Sequence, residues 1–347
     1  MSESRTAIVI LNWNGKSYLE QFLPKLIEYS PGHEVIVADN CSTDDSVPFL
    51  RRQFPDTRLI TNEINGGFAR GYNDALKVIQ GEFDYYVLIN SDVEVTENWL
   101  DPLLIFMRER KGAAGVQPKV RAFHNKDYFE HAGASGGFID KNYYPFCRGR
   151  IFDHLERDEG QYDQAKEIFW TTGACMLIKA NVFHELNGFD EDFFAHMEEI
   201  DLCWRAKKKN HSFYVEPKSL VYHVGGGTLN YENPGKTFLN FRNNLFMIHK
   251  NHRGNLFFKM TKRLFLDGLA AFKYLIGFKF KHFGAVFRAH MAYYRKLGTL
   301  NTKRKMIRKS STEFNDIGLY RGSIIWAYYF KRIKSFGALN KRLFQRN

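Results

Sequence analysis

The residues with the clearest chemical potential are two carboxylates that follow the apolar run at 85–88. The run continues into Ile89-Asn90-Ser91-Asp92, and Glu94 stands two positions later. Such a run predicts a buried strand, and open α/β sheets bind ligands at the carboxyl ends of their strands. Carboxylates at this spacing can hold a divalent cation such as Mn²⁺ or Mg²⁺. We predict Asp92 as the metal ligand, whereas Glu94 is open between a second ligand and a solvent-facing side chain.

Polar residues also end two earlier apolar runs and form a glycine-rich turn. Asp39 can accept hydrogen bonds from a base or a ribose hydroxyl, and glycines before a helix let backbone N–H groups approach an anion. Each feature alone predicts a turn or a cap, but together at one sheet edge they predict a nucleotide site. The residues concerned are Asn12, Asn14, Asp39, Asn40, Asn65, Gly66, Gly67 and Asn90.

A second acidic cluster, Glu198-Glu199-Ile200-Asp201, opens a segment with helical periodicity. Neighbouring carboxylates raise one another's pKa, which suits a general base. The alternative is a solvated helix in which Asp201 pairs with Arg205 at i, i+4. We predict a base at Glu198 or Glu199.

His223 follows a short apolar run and precedes the glycine run 225–227. A lone histidine is usually structural, but a neutral imidazole beside a predicted metal centre can ligate Mn²⁺ or Mg²⁺. We therefore predict His223 as a second ligand. The glycine run could let a loop close over a bound ligand.

The elements that must position these residues alternate between strands and helices. Apolar runs predict strands at 6–12, 34–38, 58–61 and 84–89, with helices between them at 16–29, from Ser42 through Phe54, and at 68–79. Ser42 and Asp45 resemble a capping box for the second helix. This order predicts a mainly parallel sheet with helices on both faces.

The pattern changes after residue 112. We predict a strand at 114–120, loops or hairpins over 121–165, and a strand at 169–178 interrupted by an insert at 171–174. A short helix from residue 181, a helix at 198–208 and a last short strand at 219–223 follow.

Charge divides the chain into two unequal parts. Residues 250–347 contain 23 Lys and Arg against three acids, a net +20, so residues 1–249 carry −8 of the chain's +12. A basic segment of this kind favours an anionic partner, either a membrane surface or a nucleic acid. The four cysteines have no CxxC spacing, which predicts free thiols rather than a zinc site or disulfides. The start of the chain predicts no signal peptide, and no apolar stretch predicts a spanning helix.

The segment 255–278 has the pattern of an amphipathic helix. Helical spacing places Lys259, Lys262, Arg263 and Lys273 on one face, and Phe257, Leu264, Phe272 and Leu275 on the other. Such a helix is suited to an anionic membrane interface, and the aromatic run 326–330 before Lys331 suggests a second anchor. The alternative is a set of helices packed on the catalytic body.

Taken in order, these motifs resemble the family 2 inverting glycosyltransferases of the GT-A fold, in particular their bacterial rhamnosyltransferase-like branch. The resemblance covers about residues 5–250. The matching segments are VILNWNG at 9–15, VADNCSTD at 37–44, NGGFARGYN at 65–73, LINSDV at 88–93, WTTGAC at 170–175, GFDE at 188–191 and EEIDLCWR at 198–205.

The resemblance implies roles for individual residues. Asp39 would contact the base or ribose, Asp92 would be the metal-binding carboxylate of the family's DxD motif, and His223 would complete the metal site. Asn90 occupies the first DxD position. The family usually has Glu-Asp where this chain has Glu198-Glu199, so the base is open between the two. Further implied substrate-binding residues are Asn73, Trp170, Thr172, Gly173 and Asp201.

We therefore predict an inverting glycosyltransferase that uses a UDP- or dTDP-linked sugar, a divalent cation and a glycan or lipid-linked acceptor in cell-surface polysaccharide biosynthesis. Residues 1–250 would form the catalytic domain, with a nucleotide-sugar half at about 1–120 and an acceptor half at about 121–250. Residues 251–347 would associate with the inner face of the cytoplasmic membrane, with no nucleic acid partner. The alternatives are a sugar nucleotidyltransferase, whose basic glycine-rich loop is missing at 12–15, and a non-catalytic basic protein that binds RNA or membranes.

Overall fold

The computed structural model describes residues 4–225 and 233–344. The strands are β1 Thr6–Asn12, β2 Glu34–Asp39, β3 Arg58–Thr61, β4 Tyr85–Asn90, β5 Val93–Val95, β6 Ala113–Ala122, β7 Gly137–Asp140, β8 Pro145–Cys147, β9 Arg150–Ile151, β10 His154–Leu155, β11 Lys166–Ile168, β12 Cys175–Lys179, β13 Ser212–His223 and β14 Leu319–Tyr320. The helices are α1 Lys16–Glu28, α2 Ser46–Gln53, α3 Gly67–Val78, α4 Asp101–Glu109, α5 Ala180–Glu185, α6 Glu198–Lys207, α7 Pro234–Asn251, α8 Leu256–Ile276, α9 Phe280–Arg295 and α10 Leu297–Ser310. Short helical turns span Glu191–Phe193, Trp326–Phe330, Phe336–Ala338 and Lys341–Phe344.

The main sheet has the order β11-β13-β6-β12-β4-β1-β2-β3, with β5 paired to β13. Strands β4, β1, β2 and β3 are parallel, as the alternating pattern predicts. Alternate side chains of β1 enter two different cores: Ala7 and Val9 pack into one, Ile8 and Ile10 into the other. Both faces of the sheet are therefore covered, and the carboxyl ends of its parallel strands are left to form a site.

The strands from β6 to β13 add antiparallel pairs to this sheet. β12 runs antiparallel to both β4 and β6, and β11 runs antiparallel to β13. Of the strand predicted at 169–178 only the second part forms, as β12 from Cys175, whereas β11 ends at Ile168, before the predicted span.

Two local predictions are wrong. The capping box at Ser42 does not form: α2 begins at Ser46, and Ser42 Oγ instead accepts the Asn14 N–H at 2.9 Å. The short strand predicted at 219–223 is the end of β13, which is 12 residues long. Its register shifts between Glu216 and Leu220, and Pro217 within this bulge gives the sequence the pattern of a break.

A second, smaller sheet lies in the region predicted as loops or hairpins. Its order is β10-β9-β8-β7-β14, so the C-terminal strand β14 pairs with β7. Phe336 packs on Phe138 with ring centroids 4.7 Å apart, and Phe336 N donates to Glu156 at 2.9 Å. Residues on both sides of the domain boundary proposed at 250 therefore share contacts, and that boundary stays a prediction.

Helix α8 is the predicted amphipathic helix, but one predicted basic position is buried. Arg263 is only 5% exposed and donates to Asp267 at 2.9 Å, so it belongs to the packed side. Lys259 donates to the carbonyl of Lys141 at 2.8 Å. Phe257 and Phe272 face outward. Among the described residues, no helix has the length and hydropathy needed to cross a bilayer.

Candidate active site

The end of β4 and the end of β13 bring a carboxylate and an imidazole together. Asp92 Oδ1 lies 3.2 Å from His223 Nε2, and Asn90 Nδ2 lies 3.5 Å from the same ring nitrogen. Glu130 Oε2 lies 3.3 Å from His223 Nδ1, the opposite side of the ring. The imidazole thus stands between two carboxylates, of which Glu130 comes from the region that sequence patterns assign to loops.

In this cluster the interactions between charged groups affect the pKa values more than burial does. Burial opposes protonation of His223, but Asp92 and Glu130 outweigh it and raise the pKa of the imidazole to about 10. Burial likewise opposes ionisation of Asp92 and Glu130, and His223 reverses that effect, so the pKa of both carboxyls is lowered. At neutral pH the carboxylates are therefore ionised and the imidazole is protonated, so a cation that binds at its Nε2 would displace that proton.

The donor set fits a hard divalent cation that also uses ligands from its substrate. Adjacent ligands of an ion at about 2.1 Å lie roughly 3 Å apart, close to the Asp92–His223 separation. Glu130 occupies the place of the carboxylate that commonly orients a metal-bound histidine through its other nitrogen. Over residues 4–225 and 233–344, no three His, Cys, Asp or Glu side chains form a complete metal site. Glu94 lies apart, because Lys25 and Lys126 bind its carboxylate at 3.1 and 2.5 Å.

The loops after β1 and β2 are held by their own polar side chains. Asp39 accepts hydrogen bonds from Asn12 Nδ2 and from the Ser42 N–H, each at 2.9 Å. Asn14 Oδ1 accepts the Thr43 N–H at 2.7 Å. Asn12, Asn14 and Asp39 therefore build the shape of this edge before any ligand contacts it.

The glycine-rich turn packs against Phe194, which lies shortly before the acidic pair Glu198 and Glu199. Gly67 has a φ of +76°, and a Cβ there would stand 2.5 Å from Phe194, so only glycine fits. Asn65 Oδ1 accepts the Gly67 N–H at 3.0 Å and an N–H of the Asn40 amide at 3.0 Å.

The acidic pair starts α6 after an unusual stretch of backbone. Phe194, His196 and Met197 have φ of +66°, +70° and +72°, a region disfavoured for residues with a Cβ. Burial and the charge of Glu199 hold the pKa of Glu198 well above its usual range. Burial raises the pKa of Glu199 to about 7. Glu199 is therefore poised to exchange a proton near neutral pH, and Glu198 holds its proton more strongly than an exposed glutamate does.

One cavity of about 630 Å³ connects the metal candidate, the glycine turn and the acidic pair. It collects most of the residues that the sequence singles out. Those are Asn40, Asn65, Gly67, Asn90, Asp92, Trp170, Thr172, Gly173, Glu198, Glu199 and His223.

Six residues predicted for the site do not line this cavity. Asn12, Asn14 and Asp39 form hydrogen bonds within the loops after β1 and β2. Gly66 directly precedes Gly67 of the glycine-rich turn. Asn73 exchanges two hydrogen bonds with the backbone of Phe189, each at 2.9 Å. Asp201 is fully buried and binds Arg205 at 2.8 Å and Asn251 at 2.7 Å. The Asp201–Arg205 pair of the alternative is therefore observed, although on a buried rather than a solvated helix, and the substrate-binding role of Asp201 stays a prediction.

Four further cavity residues carry no clear signal in the sequence. Trp13 is 44% exposed at the opening. Arg150 lies 3.1 Å from His131 Nε2, and its positive charge helps to lower the pKa of Glu130. Lys236 also interacts electrostatically with Glu130. Two cations thus lie near the candidate metal ligands. They come from β9 and α7, whose patterns did not predict a site. The glycine run after His223 cannot be placed, since residues 226–232 lie outside the described ranges.

The chain is similar to known glycosyltransferases. The family model "Glycosyl transferase family 2" matches residues 7–186. The N-acetylglucosaminyl-diphospho-decaprenol L-rhamnosyltransferase of Mycobacterium tuberculosis (strain CDC 1551 / Oshkosh) is 25% identical over 236 residues, which cover 64% of this chain and 76% of that protein. The rhamnosyltransferase WbbL of Escherichia coli (strain K12) is 24% identical over 212 residues, covering 57% of this chain and 75% of that one.

A solved structure adds the fold. GalNAc-T7, crystallised with UDP, GalNAc and Mn²⁺, superposes with a TM-score of 0.55 at 13% identity, over 72% of this chain and 48% of that one. A likeness at this identity shows the fold alone, which is the predicted GT-A fold. With a family model that spans more than half of its length, the chain belongs to glycosyl transferase family 2, on the rhamnosyltransferase-like branch.

Proposed function

We propose that the protein transfers a sugar, with inversion, from a nucleoside diphosphate sugar to a hydroxyl of a glycan or lipid-linked acceptor in cell-surface polysaccharide biosynthesis. The observation that carries this proposal is the single cavity that joins Asp92 and His223 at the sheet edge to the acidic pair of α6. The names of the relatives support the polysaccharide role, since they include a rhamnosyltransferase that acts on a diphospho-decaprenol.

In this proposal Asp92 and His223 hold a divalent cation, Mn²⁺ or Mg²⁺, and Glu130 orients His223. A bound cation would supply neutralisation of the diphosphate that leaves. Arg150 and Lys236 line the same cavity and add positive charge there. The structure of GalNAc-T7 with UDP and Mn²⁺ is consistent with this choice of donor and ion.

Glu199 is the proposed general base. Its raised pKa lets it take the proton of the acceptor hydroxyl as the hydroxyl oxygen bonds to the anomeric carbon. The bond from that carbon to the diphosphate oxygen breaks on the opposite face, and the diphosphate departs with the bonding electrons. The product therefore has the inverted anomeric configuration.

We further infer a peripheral position on an anionic membrane, where a lipid-linked acceptor would be found. Helices α8 and α9 expose a row of large apolar side chains, which is the kind of patch that marks an interaction surface. The net +20 of residues 250–347 complements anionic lipid. The aromatic surface, as we call it, consists of Phe257, Phe258, Phe265, Leu269, Phe272, Ile276, Phe278, Phe280 and Phe287.

A donor panel tests the function. We expect release of nucleoside diphosphate from a UDP- or dTDP-linked sugar in the presence of Mn²⁺ or Mg²⁺, and its loss when a chelator is added. NMR of the product should show the inverted anomer. Release of pyrophosphate from a nucleoside triphosphate and a sugar phosphate would instead support the nucleotidyltransferase alternative. Absence of turnover with every donor, together with RNA binding, would support the non-catalytic one.

A further inference from the structure

The backbone that leads into the proposed base is held from outside the matched family region. The base loop, residues 193–197, contains the three left-handed residues described above and ends at Glu198, the first residue of α6. Its side chains from Phe194 to Met197 line the cavity. A loop with this backbone needs partners that favour it over more relaxed conformations.

Asn243 of α7 supplies those partners. Its Nδ2 contacts the carbonyl oxygens of Phe193, Ala195 and His196 at 2.9, 2.8 and 2.7 Å. Asn243 is fully buried. A single amide group thus gathers three carbonyls of a five-residue loop.

Arg242 sets the direction of that amide. Its Nε donates to Asn243 Oδ1 at 2.9 Å, which leaves the NH₂ group facing the loop. Its Nη2 donates to the carbonyls of Asp192 and Phe193 at 3.1 and 2.8 Å. The guanidinium therefore distinguishes the two ends of the amide and also anchors the start of the loop.

The loop in turn contacts both halves of the site. Phe194 O accepts the Ala69 N–H at 3.2 Å, next to the glycine turn. Met197 O accepts the Asp201 N–H at 2.9 Å in the first turn of α6. The position of Glu199 relative to the donor pocket therefore depends on the shape of this loop.

We propose that Asn243, aligned by Arg242, is a positioning residue for the general base. It holds the base loop in its left-handed conformation and so fixes Glu199 in the cavity. The expected effect of Asn243 on turnover rests on the proposed function, whereas its expected effect on the conformation of the base loop does not. Both residues lie beyond the segment 7–186 that the family model matches.

The test compares Asn243→Ala with Asn244→Ala. Asn244 is the neighbouring buried amide of α7, and it donates to the Tyr143 carbonyl at 3.0 Å, away from the base loop. We expect Asn243→Ala to lower kcat roughly 10- to 100-fold, the scale of a misplacement of about 1 Å. The Kd for nucleoside diphosphate should stay near the wild-type value, and the acid limb of the kcat profile should move to lower pH as Glu199 gains solvent.

Hydrogen–deuterium exchange gives a readout that needs no activity. Exchange should rise in the peptide that covers 193–199 and stay unchanged in β1 and β4. Arg242→Lys, which keeps the charge but loses the Nε donor, should show the same changes to a smaller extent and serves if Asn243→Ala fails to fold. Unchanged exchange in that peptide, or equal losses of kcat in Asn244→Ala, would overturn the proposal. Absence of turnover in the wild type would defeat the proposed function and leave the exchange result to decide this one.

Discussion

The proposed donor side of the site, at the ends of β1, β2 and β4, and the proposed acceptor side, at the start of α6, are built in different ways. At the donor side, Asp39, Asn12 and Asn14 bond to residues of the neighbouring strand-end loops, and both oxygens of Asp39 have partners. At the acceptor side, Glu198 and Glu199 each keep a buried oxygen, Oε2, without a hydrogen-bond partner among the described residues. Asn12 Oδ1 is also without a partner in the described part of the chain, but the loops of the donor side are held by their own side chains, whereas the acceptor side leaves its two ionisable groups unsatisfied and depends on α7. This contrast implies that substitutions on the two sides should alter different steps.

The largest effect is expected on the acceptor side. Glu199→Gln should reduce kcat by roughly two to four orders of magnitude, because general-base catalysis contributes about that much. Calorimetry should show nucleoside diphosphate binding unchanged. Glu63→Gln, an exposed acid outside the cavity, is the matched control. If Glu198→Gln shows the large loss and Glu199→Gln does not, the base is Glu198.

On the donor side the effect should fall on binding. Asp92→Ala should remove Mn²⁺-dependent binding of nucleoside diphosphate, measured by calorimetry, while the circular dichroism spectrum stays unchanged. Glu130→Gln should weaken that binding roughly 10- to 100-fold, since a residue that orients a metal ligand commonly has an effect of this size. Mn²⁺-dependent binding equal to the wild type in Asp92→Ala would remove this residue from the metal site.

The pH dependence of kcat should reflect the titration of Glu199 on the acceptor side. Burial raises the pKa of Glu199 to about 7, and the carboxylate is the form that accepts a proton. The kcat should therefore rise with pH, falling about tenfold per unit below the midpoint and levelling above it. Donor binding, measured by calorimetry across the same range, should not follow this curve. A kcat that does not change between about pH 5.5 and 8 would exclude Glu199 as the titrating base.

The smallest effect concerns the aromatic surface, which lies outside both sides. Replacing Phe265 and Phe272 with Ser should reduce sedimentation with anionic liposomes at least about tenfold, taking roughly 1 kcal/mol for each partly inserted ring. Ile105→Ser, an exposed apolar residue of α4, is the control. Binding should weaken with added salt, because salt screens the electrostatic attraction between the lysines and the anionic lipids. Equal sedimentation of the variant and the wild type would assign this surface to a protein partner or to none.

The same contrast explains what the sequence could predict. The donor side comes from local motifs, so β1, β2 and β4 and the placement of Asp92 follow from apolar runs that end in polar residues. His223 is predicted as a ligand both from its position after an apolar run and from the family resemblance, although its strand is predicted too short because of Pro217. The sequence predicts loops or hairpins over 121–165, but the small sheet that they form with β14 is not predicted, because its strands are only two to four residues long and β14 comes from a distant segment.

Residues that act across long sequence separations were missed. Glu130 lies in a region without periodic pattern, and Asn243 is one of two adjacent asparagines in a helix, where nothing local distinguishes them. The sequence leaves Asp201 open between substrate binding and an ion pair with Arg205, because its further partner Asn251 lies 50 residues away. Hydrogen bonds between distant segments leave no periodic signal, so only the structure separates these cases.

The pairing of β14 with β7 has a consequence for how the chain is made. Leu319 and Tyr320 lie beside Ile139 and Asp140, about half of the chain away. During synthesis the small sheet must wait for its last strand, and Phe138 and Phe146 stay uncovered until residues 336–344 emerge. Such late, long-range closure slows folding and leaves the nascent chain open to aggregation. Cells that make this enzyme should therefore depend on chaperones that bind aromatic segments, and premature termination near residue 300 should yield an insoluble product.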